Sequence, residues 1–157
     1  MGTKGENENL FRQAVESVSE IQAGFRSGLQ ALGANAKAVK AEDTRKLEGS
    51  VDIDACTKAL YPEDSRWDYA IGYDAEAYFL EVHPANISNV DEMIKKAEWL
   101  TNWLKEKAPA LKRMAASNTF YWVPSGKYNI LPHTPQSRRL AQKHVRIVPI
   151  LRLPVQK

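Results

Sequence analysis

The chain has one cysteine, Cys56, among 157 residues, so an intrachain disulfide is impossible and a zinc site built on several thiolates is excluded. No apolar run approaches the roughly 20 residues that cross a bilayer. The first nine residues, MGTKGENEN, lack the apolar centre of a signal peptide, and Glu6 stands where a myristoylation signal carries Ser or Thr. These absences lead to the expectation of a cytoplasmic protein with no membrane partner. Acid is missing from the last third: residues 107–157 hold 10 Lys and Arg and no Asp or Glu, a charge of +10. Residues 1–106 hold 12 basic against 19 acidic side chains, a charge of −7. A basic segment on an acidic body points to a polyanion, DNA or RNA first, or to a tail that neutralises its own body.

What is present is ordinary globular composition, 43% hydrophobic and 26% charged, enough for one domain over residues 1–157. Leu10, Phe11, Ala14, Val18, Ile21, Phe25, Leu29 and Leu32 recur at three- and four-residue steps, predicting a helix over 10–32 that closes near Gly33. Residues 33–48 read as a flexible connection. The period then falls to two: strands are expected over 49–55, 67–73 and 77–83, the last two as a hairpin turning at Asp74. Ser88 and Asp91 form a capping-box pattern ahead of a helix ending before Pro109, with Val90, Met93, Ile94, Ala97, Leu100 and Leu104 on one stripe. A strand over 120–123 follows. Thr134-Pro135 opens a short basic helix over 135–143, and Val145–Leu151 reads as a last strand, placed at a sheet edge by Pro149.

The chemistry-bearing residues cluster on the hairpin. Phe79, Glu81 and His83 share one face of their strand, and Tyr78, Leu80 and Val82 the other. On the preceding strand Asp68, Ala70 and Gly72 share a face, the small residues leaving room for a close approach. Register permitting, Asp68, Glu81 and His83 form an acid–acid–base cluster. Two carboxylates at short range repel unless a cation lies between them, and hard oxygen donors suit Mg²⁺ or Mn²⁺. Asp52 and Asp54 either join the site or mark the wet face of the first strand.

The segment RWDYAIGYDAEAYFLEVHPA resembles the active-site hairpin of the PD-(D/E)XK, or restriction endonuclease-like, nucleases. That family carries an Asp on its second strand and Glu-x-Lys on its third; Asp68 and Glu81 match the two acids. The resemblance covers roughly residues 8–124 and implies an α/β fold, αβββαβ in order, with a central mixed sheet of four to five strands flanked by helices. The chain then divides into a flexible N-terminus (1–9), a nuclease-like core (10–124) and a basic C-terminal extension (125–157). It further implies a divalent-metal-dependent nuclease, with Asp68 and Glu81 holding Mg²⁺ or Mn²⁺ and the lysine orienting water. His83 takes the lysine position and cannot supply its fixed charge. In some members the lysine has moved to the neighbouring helix, so Lys95 and Lys96 are candidate replacements. Many families also recruit a first-helix Glu, for which Glu8, Glu16 and Glu20 are available.

Two further features bear on partners. Trp99 and Trp103 lie opposite their helix's apolar stripe and call for a second packing surface, within the chain or across a homodimer. Lys127, Arg138, Arg139 and Lys143 are candidate phosphate contacts. The readings in contention are a metal-dependent nuclease or weakened relative, a non-catalytic nucleic-acid-binding module, and a protein-interacting dimer.

Overall fold

The computed structural model describes residues 8–126 and 130–156. Its elements are α1 (Leu10–Glu16), β1 (Val39–Ala41), β2 (Leu47–Asp52), α2 (Ile53–Thr57), β3 (Tyr69–Tyr73), β4 (Glu76–His83), α3 (Val90–Glu106), α4 (Pro109–Met114), β5 (Phe120–Pro124), α5 (Pro135–Gln142), β6 (Val145–Ile147) and β7 (Leu151–Leu153), with 3-10 turns at Gln30–Ala38, Thr44–Lys46 and Ile87–Asn89.

The fold is α/β, with a five-stranded mixed sheet ordered β2-β3-β4-β5-β6. The first three strands form an antiparallel meander. α3 then crosses over, so that β5 lies parallel to β4, and β6 parallel to β5. The β3–β4 turn is Asp74-Ala75, both at positive φ (51° and 65°), the two-residue geometry whose twist matches the paired strands. One sheet face packs Ala70, Phe79 and Trp122 against α1, α3 and α4. The other buries Ile71, Tyr78, Leu80 and Tyr121 under residues 29–41 and β7. The expected alternation on β4 is therefore observed. The space beside Gly72 is filled from within, since a side chain there would strike the Phe11 ring.

Several boundaries differ from expectation for local reasons. The helix expected over 10–32 ends at Glu16; the chain continues in three-residue turns, with Val18 N bonded to Val15 O, Ile21 N to Val18 O and Gly24 N to Ile21 O. Val18 and Ile21 remain buried, because successive tight turns present residues three apart to one side much as a helix does. The first strand stops at Asp52, whose carboxylate accepts from Ala55 N and caps α2, so Asp54 sits on a helical turn. Residues 33–48 contain β1, which pairs parallel with β7 in a separate two-stranded sheet. α3 is entered through Asn86 and Asn89, the Asn86 N–H donating to Asn89 Oδ1, two residues before the predicted Ser88–Asp91 cap. α4 was not anticipated. The expected last strand is two, β6 and β7, parted around Pro149. Thr134 caps α5 as predicted, accepting from Ser137 N. Asn9, assigned to a flexible terminus, instead donates to Glu48 O and accepts from Arg12 N. The rest of that segment, residues 1–7, lies outside the described residues.

No helix among the described residues is long and apolar enough to cross a membrane.

Candidate functional site

Pairing of Tyr69 with Leu80 continues one step outward to set Asp68 opposite Glu81. The two are locked reciprocally through the backbone: Asp68 N–H donates to Glu81 Oε1 at 3.0 Å, and Val82 N–H donates to Asp68 Oδ2 at 3.1 Å. Glu81 is fully buried, 0% exposed, and Asp68 is half-buried. A lysine reaches them from α3: Lys96 Nζ lies 2.9 Å from Glu81 Oε2 and donates to Arg66 O at 2.8 Å. Glu81 Oε2 takes no aligned hydrogen bond; the ammonium beside it is its compensation, in distance an ion pair.

The electrostatics follow. Burial, then the Asp68 charge, holds the Glu81 carboxyl well above the usual carboxylate range, with Lys96 opposing. Burial also raises Asp68, against Lys96 and the Val82 N–H. Burial alone would lower Lys96, but Glu81, Asp68 and Asp54 outweigh it and raise it. Lys96 is therefore a fixed cation at neutral pH.

The loop carrying Asp68 is clamped to α3 and α2. Arg66, its side chain 12% exposed, pairs with Asp54 Oδ1 at 2.8 Å and donates to Tyr61 O at 2.6 Å. Trp99, one turn from Lys96 on α3, donates to Asp64 Oδ2 at 3.2 Å. Helix and loop are thus joined at two neighbouring points, one of them Lys96 itself.

The predicted residues divide. Asp68 and Glu81 come together. His83 stays apart: its Nδ1 lies 3.0 Å from Pro84 O, its ring meets Trp122 edge-on, and it makes no hydrogen bond or ion pair to either acid. The carbonyl of His83 accepts from Trp122 Nε1, which fixes the strand end. Of the two helix lysines, Lys96 is in the site, and Lys95 is exposed. Asp54 is at the rim on Arg66, while Asp52 is spent as a cap. Glu16 pairs with Arg12, and Glu20 accepts from Tyr61 Oη and Trp103 Nε1; neither supplies a ligand. Arg66 was not singled out in the sequence, and its contribution is a backbone carbonyl that no side-chain pattern marks.

The Trp99/Trp103 surface is largely taken up within the chain. The indoles stack at 5.6 Å, Tyr61 packs edge-on to Trp99, and Trp103 is 4% exposed. The expected homodimer face thereby loses its main physical motive. The predicted phosphate contacts are likewise partly engaged: Arg139 pairs with Asp91 at 2.7 Å and Lys143 with Glu98 at 2.9 Å. Arg138 donates to His133 O, and Lys127 lies outside the described residues. The basic third thus neutralises part of its own acidic body.

For a divalent ion the donors are Asp68 and Glu81, each giving one oxygen to a backbone N–H. Among the described residues no group of three or more His, Cys, Asp or Glu is arranged to hold a metal. The buried Glu81 Oε2, with no aligned donor, fits a hard cation in chemistry, but it shares its surroundings with Lys96, which already offsets the repulsion that a metal was expected to relieve. Comparison with family models, curated proteins and solved structures finds no match to this chain.

Proposed function

We propose that the chain is a divalent-metal-dependent phosphodiesterase acting on nucleic acid, of the PD-(D/E)XK type, in which Lys96 on the helix replaces the strand lysine. The observation that carries this is the convergence of Asp68, Glu81 and Lys96 from a loop, a strand and a helix, with Lys96 Nζ 2.9 Å from Glu81. The meander followed by a helical crossover to a parallel strand agrees with the αβββαβ order of that family. A carboxylate kept where burial and a like charge both disfavour its ionisation supports this reading, because such groups cluster at functional sites.

In this reading Asp68 and Glu81 hold Mg²⁺ or Mn²⁺, which when bound polarises a phosphate oxygen and activates water. The reciprocal backbone bonds fix both carboxylates before any ligand arrives. Lys96, protonated, faces the negative charge that develops on the phosphoryl group and is not a proton acceptor; Arg66 O holds its direction. His83 is outside the machinery.

A second reading, a non-catalytic module, draws on the same contact: an ion pair that already satisfies Glu81, in a closed site where the Lys96 side chain is 13% exposed, needs no metal. Thermal unfolding in Mn²⁺ and Mg²⁺ separates them. A metal that binds the native state at 100 times its Kd stabilises by about 2.7 kcal/mol, and Glu81→Gln should remove that response together with any cleavage of labelled DNA or RNA. Wild-type chain indifferent to both metals, with no cleavage, favours the module.

A further inference from the structure

On the sheet face opposite Glu81, a cleft of about 610 Å³ opens between β1, the start of β5 and the 146–156 segment, within the size range of small-molecule sites. Register assembles its rim. The β1–β7 pairing sets Lys40 beside Arg152, and the β5–β6 pairing sets Arg146 beside Tyr121. All three basic side chains are exposed and line the cleft, with Glu42 the single acid. Among the described residues none of the three forms an ion pair. This separates them from Arg139 and Lys143, whose charge Asp91 and Glu98 already offset. The floor is apolar, from Val148, Pro149, Ile150 and Pro154.

We propose that this cleft binds a nucleotide unit, the phosphate held by Arg146, Arg152 and Lys40 and the base laid on the apolar floor. Uncompensated guanidinium groups beside an apolar surface suit this chemistry, because arginine binds phosphate bidentately and stacks on bases. A simple inorganic anion would leave the apolar floor unused. The site stands independently of the reading of Asp68, Glu81 and Lys96, and its source is either a free nucleotide or a unit of a single strand.

The test uses the full chain, carrying Glu81→Gln to exclude turnover. Calorimetric titration with adenosine monophosphate, adenosine and inorganic phosphate is run beside anisotropy with a short labelled single-stranded oligonucleotide. The monophosphate is expected to bind at least about tenfold more tightly than adenosine or inorganic phosphate, and Arg146→Ala/Arg152→Ala to weaken it at least about tenfold. Arg139→Ala/Lys143→Ala should change it little. Oligonucleotide binding that falls with the same pair, with a log–log salt slope near about −0.7 for the one phosphate held, assigns the strand as the source; binding of the mononucleotide alone assigns the free nucleotide. Should the double variant fail to fold, Lys40→Ala, a single exposed change, carries the comparison. The proposal is overturned if neither ligand binds, if inorganic phosphate matches the monophosphate, or if the loss follows Arg139 and Lys143 instead.

Discussion

Lys96 and Glu81, fifteen positions apart on a helix and a strand, meet at 2.9 Å with the carboxylate wholly buried and the ammonium nearly so. The contact defines the candidate site and also sets its stability, because each partner is an exposed-type charge held out of water by the other.

Removing the lysine therefore strands the buried Glu81 beside the half-buried Asp68. Lys96→Met should destabilise the fold by about 3–5 kcal/mol near about pH 8, the cost of breaking a buried pair. The deficit should shrink toward about pH 5, where Glu81, its carboxyl raised, takes up a proton. Urea unfolding at the two pH values checks this; a loss independent of pH contradicts it.

The acid behaves in the opposite sense. A carboxyl whose folded pKa is raised adds stability at low pH and loses it as pH climbs from the unfolded value through the folded one. Glu81→Gln removes that penalty together with the ion pair to Lys96, so the variant's stability relative to wild type should improve by at least about 1 kcal/mol from about pH 5 to about pH 8, roughly the worth of a one-unit shift. Equal stability at both values would contradict the burial account.

Much of this was legible in the sequence where a period was long enough to count. The two-residue alternation over 77–83 placed Glu81 on the face that α3 covers, and the stripe from Val90 to Leu104 placed α3 there. A lysine reaching the two acids from that helix was foreseeable, but the choice of Lys96 over Lys95 depends on helix rotation. Three-residue strands such as β1 and β7 carry no period at all. Asp52 closes β2 and caps α2 at once, so the alternation in the sequence runs on through Asp54, which lies on a helical turn. The Arg139–Asp91 pair, 48 positions apart, had no local signature, so the basic third read as free charge. For His83, strand alternation gives a side, whereas the Pro84 carbonyl and Trp122 decide where the ring lies.

The clamp on the Asp68 loop gives a further prediction. Arg66→Ala breaks the Asp54 pair and the bond to Tyr61 O, so it should cost about 1–3 kcal/mol. Hydrogen exchange should rise at Asp68 N and Val82 N, the two amides that lock the carboxylates. Unchanged exchange at both amides would show that the loop holds its place without Arg66.

Turning to His83, His83→Ala should leave metal-dependent stabilisation within about 0.5 kcal/mol of wild type, as for a surface change away from the site. A loss matching that of Glu81→Gln, read by thermal unfolding in Mn²⁺, would place the imidazole at the metal site.

The most direct measurement is single-turnover cleavage of end-labelled DNA and RNA in Mn²⁺ by wild type, Lys96→Met and His83→Ala, with folding verified for each. Wild type and His83→Ala should cleave at similar rates, while Lys96→Met should fall at least about a hundredfold, the scale of losing one charge-stabilising group. Cleavage that survives in Lys96→Met and disappears in His83→Ala would contradict the assignment of Lys96 as the site's cation.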